Sequence, residues 1–442
     1  MTVFRKSVGY VAGIAIAATT GLVSYRALQA EGPEPPAAIS GVPRDFPDAA
    51  GDLVKRGQYL TRAADCEACH TVVGGAPFSG GPPFKLPFGT IYATNLTPDM
   101  ETGIGGWSDA RFLRAVRDGI GTHGNLYPAM SYTSYTALST ADALAIKAYL
   151  SSLKPVHATV PTGTLSFPFN QRWGMKLWNL VFFHPHRYKP DPTRDAQWNR
   201  GAYLATALGH CGECHTPRNI GFAMRSREYL AGTVVEGWKA YNTTSNATYG
   251  IGEWSDEQLT GYLAQGHAQG RSSAAGPMAE VVEHSLQYLT PSDIQALVVY
   301  LRGIDPVRGS GGDRVELKPA AVVASTNLLP EGDAAGGNTR GRQLFEGDCA
   351  GCHQFNGVGR QSEYASLAGS HAVNDTTGTS MLQVILDGSN LTVNGRRQVM
   401  PGFGAAYSNE DVAAVANYVL AHFGSKLGKI DAAAVAKARQ TH

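Results

Sequence analysis

The sequence predicts a mainly α-helical protein made of three tandem small domains with long loops. Three observations carry that expectation. All six cysteines fall in three C-x-x-C-H motifs, a similar Arg-Gly segment stands about ten residues ahead of each motif, and a hydroxyl residue followed three places on by Asp marks a closing helix in each repeat. The length of 442 residues allows about three domains. With 52 Gly and 24 Pro the chain is loop-rich for a helical protein, while its 43% apolar content still permits packed cores.

The motifs are Cys66-Glu67-Ala68-Cys69-His70, Cys211-Gly212-Glu213-Cys214-His215 and Cys349-Ala350-Gly351-Cys352-His353. An even number of cysteines in an exported chain first invites disulfides, but this spacing is that of covalent haem attachment. With 13 His in the chain, a His after all three C-x-x-C pairs has chance odds of about 1 in 40,000. Residues three apart share a face of a helical turn, so both sulfurs reach the two vinyl groups of one porphyrin, and the next His projects beneath the ring as an iron ligand. A Cys₄ zinc site would leave the third pair without a partner and the three His unexplained. A thioredoxin-like redox pair would need a βαβ context that is absent. The expected cofactor is therefore three haem c, held by Cys66 and Cys69, Cys211 and Cys214, and Cys349 and Cys352, with His70, His215 and His353 as proximal ligands.

The repetition extends beyond the motifs. Arg56-Gly57, Arg200-Gly201 and Arg340-Gly341 open an amphipathic helix that is expected to end in the motif each time. Gly103-Ile104-Gly105-Gly106-Trp107-Ser108-Asp109 is matched by Gly250-Ile251-Gly252-Glu253-Trp254-Ser255-Asp256, and the third repeat lacks this element. Ser139 with Asp142, Thr290 with Asp293 and Ser408 with Asp411 read as capping boxes with Asp in place of Glu. Tyr149, Tyr300 and Tyr418 fall at matching points of the closing helices, and packing against the first helix of the repeat is their expected role.

A helix, a haem motif, a connecting loop and a final helix is the layout of a class I cytochrome c domain, in which the loop supplies a Met as the second iron ligand. The candidates are Met130, Met278 and Met400, which lie 60, 63 and 47 residues after their motif His and 18 to 22 residues before the matching Tyr. Each sits within two residues of a Pro. The rivals are Met100, Met224 and Met381, and a lone Met in a helical domain is usually core filler. Ligation by His284 stays open in the second domain, whereas His210 is too near the motif to reach the far face. His123, His157, His267, His371 and His422 are expected to be surface or hydrogen-bonded residues. Thioether attachment with His/Met ligation leaves no open iron position, so transfer of electrons rather than catalysis on a substrate is expected, and no catalytic residue is assigned.

Arg5 and Lys6 precede a 19-residue uncharged segment, Ser7 to Tyr25. It is nearer the ~20 residues of a span than the ~7–15 of a signal-peptide core, and Leu28 spoils an A-x-A cleavage site. An uncleaved anchor is favoured over a cleaved signal peptide, and the leading charges place the remainder outside the cytoplasm. Boundaries follow: 1–30 signal-anchor or signal peptide, 31–45 stiff linker, 46–156 first domain, 157–192 aromatic linker, 193–306 second domain, 307–335 a second ordered linker, 336–425 third domain, and 426–442 a polar C-terminal tail with no assigned role. The aromatic linker, from Phe167 to Tyr188, suits either a protein or membrane interface or a strap packed on its own chain. A net charge of +1 gives no sign of nucleic-acid binding.

The chain resembles the triple-haem cytochrome c subunit of membrane-bound, quinone-reducing bacterial dehydrogenases of alcohols, aldehydes and sugar acids. The resemblance rests on the three C-x-x-C-H motifs, on Gly89-Thr90-Ile91-Tyr92-Ala93-Thr94-Asn95-Leu96-Thr97-Pro98-Asp99, on Leu126-Tyr127-Pro128-Ala129-Met130 and on Gly209-His210-Cys211-Gly212-Glu213-Cys214-His215-Thr216-Pro217-Arg218. It implies a separate catalytic subunit of molybdopterin, pyrroloquinoline quinone or flavin type, an optional small third subunit, ubiquinone as acceptor, and a place at the periplasmic face of the inner membrane. The competing readings are a c-type subunit of a terminal oxidase and a haem peroxidase.

Overall fold

The computed structural model describes residues 34–43, 45–46, 52–309, 338–360, 362–424 and 428–441. The N-terminal apolar segment and nearly all of the second linker lie outside the described residues. Among the described residues no helix is long and apolar enough to cross a membrane. The chain divides into two compact units, one ending at His210 and one beginning at Cys211.

In the first unit, helix Leu53–Ala63 starts at Asp52, whose carboxylate accepts the N–H groups of Val54 and Lys55 and so satisfies two orphan donors. This helix crosses the closing helix Thr140–Ser152 closely, and the Arg-Gly pair explains why. A Cβ on Gly57 would lie 1.9 Å from the Ala145 carbonyl oxygen, so only glycine lets the two backbones approach this far. Beside it, Arg56 donates to Asp142 Oδ1 at 2.5 Å, with Asp142 fully buried. The third repeat repeats both devices. A Cβ on Gly341 would lie 2.3 Å from the Ala414 carbonyl oxygen, and Arg340 Nε donates to Asp411 at 2.7 Å.

Of the capping boxes expected from the sequence, the one at Ser139 forms only in half, while at Ser408 the Asp411 carboxylate also returns to the Ser408 backbone. Ser139, Thr290 and Ser408 each accept the N–H of the Asp three residues on, as N-caps do. In the first and third repeats the Asp carboxylate turns to the crossing helix's arginine, so the short side chain serves the helix contact. Asp142 uses its second oxygen for the Gly41 N–H at 3.0 Å and the Tyr203 hydroxyl at 2.6 Å. A reciprocal capping box also occurs at Ser255 and Gln258, where the longer Gln reaches back.

The first helix does not run straight into the motif, which corrects a second expectation. In the first repeat Asp65 adopts a left-handed conformation and breaks the helix before the separate turn Cys66–His70. In the other repeats the helix widens into a π-turn, Leu204–Leu208 or Phe345–Cys349, ahead of the motif turn. The linker before the first domain is also no free spacer. Glu34 accepts the Thr140 N–H at 2.6 Å and its hydroxyl at 2.7 Å, and Ile39 is buried.

The C-terminal tail likewise has a place. Helix Ala432–Arg439 buries Val435 in the third repeat's core, and Arg439 donates to the carbonyls of Gly404 and Tyr407 at 2.5 and 2.8 Å. It therefore clamps the loop between Met400 and the closing helix. The closing-helix tyrosines pack as expected in two repeats: a Cβ on Gly57 would meet Tyr149, and the Tyr418 ring lies 5.5 Å from Phe345.

Gly57→Ala is expected to destabilise the protein by about 1–3 kcal/mol, because the helices must part or strain. Gly174→Ala, where an added Cβ meets open space at the start of a helix, is expected to be neutral or slightly stabilising. Thermal melting of the two variants checks the contrast.

Candidate haem sites

Each motif forms one helical turn, Cys66–His70, Cys211–His215 and, in the third repeat, Ala350–His353 preceded by Cys349. All six cysteines are free of disulfides. Burial, with Asp65 beside it, pushes the Cys66 thiol up to about 12, and burial likewise pushes Cys349 up to about 11, so these are thiols at neutral pH rather than thiolates. Among the described residues, no group of three or more His, Cys, Asp or Glu side chains is arranged to hold a metal ion unaided.

The motif histidines share one geometry. His70 Nδ1 donates to the Thr94 carbonyl, His215 Nδ1 to the Tyr241 carbonyl and His353 Nδ1 to the Ala365 carbonyl, each at 2.7 Å. A carbonyl only accepts, so the proton must sit on Nδ1, and Nε2 carries the lone pair. Burial lowers the pKa of all three rings below the ordinary imidazole value, against the opposing pull of the carbonyl. The rings are thus neutral at pH 7. Two cysteines three apart beside a neutral imidazole with a free, oriented Nε2 is a donor set that fits a covalently attached haem.

The carbonyls that hold His70 and His215 are fixed by a device sequence reasoning missed. Asn95 follows Thr94: its Oδ1 accepts the Thr97 N–H and hydroxyl at 2.9 and 2.8 Å, and its Nδ2 donates to the Val156 carbonyl at 2.8 Å. Asn242 follows Tyr241 and does the same with Thr244 and the Val307 carbonyl. The signal was an Asn-x-Thr triplet ahead of each Gly-Ile-Gly element. In the third repeat the carbonyl of Ala365 ends a short 3₁₀ turn, Glu363–Ala365.

The candidate methionines are half-buried and lie in elements that precede the closing helices. Met130 ends the turn Pro128–Met130, Met278 is the second residue of helix Pro277–His284, and Met400 ends strand Arg396–Met400, paired with Ser389–Val393. The rivals are placed differently. Met100 is 74% exposed, Met381 is 6% exposed within the third repeat's apolar core, and the Met224 sulfur packs behind the second motif, 3.4 Å from a Cβ built on Gly212. His284 ends the helix that carries Met278, and six residues put it about 240° around the axis, on another face.

Of the remaining histidines, His123 and His157 are exposed, as expected. His267 and His371 are buried, and His267 is hydrogen-bonded, which also meets the expectation. His267 Nδ1 pairs with the Ser273 hydroxyl at 2.9 Å, but its Nε2 is buried without a partner. His371 is 5% exposed with a buried, unpartnered Nε2, and burial with Arg271 nearby pushes its pKa down to about 3.

The aromatic linker packs on its own chain, as the strap expectation has it. One side braces the Met130 loop: Tyr127 donates to the Phe169 carbonyl at 2.8 Å, Arg172 to the Asn125 carbonyl at 2.9 Å, and Tyr132 to Asn179 at 2.6 Å. The other side of helix Gly174–Phe182 leaves Trp173, Leu177 and Val181 at least 60% exposed, spaced four apart on one face.

Motif turn, oriented imidazole and crossed helices together define a c-type cytochrome. A sequence-family model for cytochrome c matches residues 54–154 and 339–422, which hold the first and third motifs. The fructose dehydrogenase cytochrome subunit of Gluconobacter japonicus is 39% identical over 87% of this chain and 82% of its own length. The cytochrome c subunit of the quinone alcohol dehydrogenase of Gluconacetobacter polyoxogenes is 36% identical over 89% and 86%. A nicotinate dehydrogenase subunit of Pseudomonas putida is 40% identical over 84% of this chain, which spans only 30% of that longer protein. The chain belongs to the family of cytochrome c subunits of bacterial quinone-linked dehydrogenases.

Asn95→Ala removes the clamp beside Thr94 and leaves the Val156 carbonyl only the longer bond from the Thr97 hydroxyl at 3.2 Å. A loss of about 1–3 kcal/mol in stability is expected, read by thermal melting of the haem-loaded protein.

Proposed function

We propose that this chain is the electron-transfer subunit of a dehydrogenase complex, carrying three haem c in domains 46–156, 193–306 and 336–425. The observation that supports this most is the hydrogen bond from each motif histidine to a backbone carbonyl, made three times at the same length. Cys66 and Cys69, Cys211 and Cys214, and Cys349 and Cys352 would hold the haems covalently. His70, His215 and His353 would ligate the irons on one side through Nε2, and Met130, Met278 and Met400 on the other. Haem bound in this way supplies one-electron chemistry at a six-coordinate iron. The protein's own task is to keep the ligand atoms fixed and water away, so that little must reorganise when the charge changes. No side chain here is assigned acid, base or nucleophile work.

The electrons would come from a separate catalytic subunit, in line with relatives named as cytochrome subunits of dehydrogenases, and leave to ubiquinone, one relative's name carrying the word quinone. The chain would work at the periplasmic face of the inner membrane, attached through its N-terminal apolar segment. The exposed Trp173, Leu177 and Val181 face supports a second contact, against the lipid surface, where an apolar stripe beside Lys176 and Arg172 is favoured. Purification of the native complex in mild detergent, with identification of the large subunit, tests the assignment. A dehydrogenase catalytic subunit is expected to co-purify; copper-haem oxidase subunits in its place would overturn the reading.

Met400→Ala is expected to lower the potential of one haem and open that iron to carbon monoxide, with two haems unchanged. An unchanged redox titration with no carbon monoxide binding would remove Met400 as a ligand.

A further inference from the structure

The second repeat, from its motif onward, and the third repeat share one compact unit that begins at Cys211. Within it, the segments that carry the candidate iron ligands are fastened to one another across the repeats. Tyr241, whose carbonyl holds His215, places its ring 5.1 Å from the ring of His371, a residue of the third repeat. The same His371 ring meets Trp254 at 5.1 Å, and its backbone N–H donates to the Arg271 carbonyl at 3.0 Å. Tyr241 also donates its hydroxyl to Asp375 at 3.4 Å, and Asp375 is fully buried.

The contact is reciprocal. Tyr364 directly precedes Ala365, whose carbonyl holds His353. Its ring lies 5.0 Å from His267, its hydroxyl donates to the Gln265 carbonyl at 2.7 Å, and its own carbonyl accepts from Ser273 at 3.3 Å. The methionine side is tied in the same way. Glu283, on the helix that carries Met278, accepts the Thr392 N–H at 2.8 Å. Gln287 donates to the Thr392 carbonyl at 3.0 Å and accepts the Asn394 N–H at 3.0 Å, both in the hairpin that leads to Met400.

Domains within one chain usually meet through modest interfaces and move against each other. Here all four ligand-bearing segments of two repeats depend on residues of the other. The basicity of a ligating imidazole follows the hydrogen bond at its second nitrogen, and the iron's potential follows both. We propose that His371, Tyr364 and Glu283 are positioning residues that join the second and third haem sites into one coupled pair, so that each iron's potential is set partly by the other repeat. This rests on the three-haem reading above.

The test uses the full-length, haem-loaded protein, with potentials assigned to repeats by removing each motif histidine in turn. His371→Ala, a change in the third repeat, is expected to shift the second repeat's haem. The ratio of reduced to oxidised iron at fixed potential should change about tenfold, ~59 mV for one electron. The haem held by His70 should not move. His371→Phe keeps a ring against Tyr241 and Trp254 and is expected to restore the ratio to within about twofold. Glu283→Ala, in the second repeat, should shift the third repeat's haem and decides the matter if the His371→Ala chain does not fold. Shifts confined to the repeat that carries each substitution, or no shift at all, would overturn the coupling. Covalent haem measured on the same samples separates the two ideas: fewer than three per chain contradicts the function proposed, whereas three haems with independent potentials contradicts this inference alone.

Discussion

An imidazole has two nitrogens, and whichever one is fixed by the protein decides what the other can do. In this chain a backbone carbonyl takes the Nδ1 proton of His70, His215 and His353 at the same 2.7 Å distance. That contact sets the tautomer, aims Nε2 and makes it a better donor to iron. Much of the surrounding architecture can be understood as holding those carbonyls still. Asn95 and Asn242 lock two of them to the chain that follows the closing helices, through Val156 and Val307.

The frame behind this is a helix crossing made possible by a missing side chain. Gly57 and Gly341 let backbone meet backbone, and the neighbouring arginines tie the crossing to the aspartate at the start of the closing helix. A haem domain of about 100 residues has a small apolar core of its own, so a close crossing of this kind matters more than it would in a larger domain. Asp142 shows how tightly the frame is joined: one carboxylate receives Arg56, the Gly41 N–H and the Tyr203 hydroxyl. Such a buried carboxylate is stable because each partner satisfies it, and removal of a partner would leave an uncompensated charge.

The helices and motif turns were legible in the sequence because each has a short-range cause. N-cap hydroxyls at Ser139, Thr290 and Ser408, cysteines three apart and the Arg-Gly pairs all act within a few residues or one helix contact. What was not legible depends on distant partners. Asp142 looked like the second half of a capping box, but its oxygens were claimed by groups 61, 86 and 101 residues away. The π-turns before the second and third motifs leave no residue signature. His371 read as a surface or hydrogen-bonded histidine because nothing local reveals that Tyr241 and Trp254 pack against its ring. The tail helix looked idle because Arg439 makes its bonds with carbonyls some 30 residues upstream.

The central claim is that all six cysteines serve covalent haem, two to each group. Intact-mass analysis of the mature, denatured protein, followed by thiol alkylation under reducing conditions, tests it most directly. The account predicts a mass excess of three haems on one chain and no cysteine open to alkylation. A chain without bound haem, or one in which reduction frees cysteines of any motif for alkylation, would contradict it.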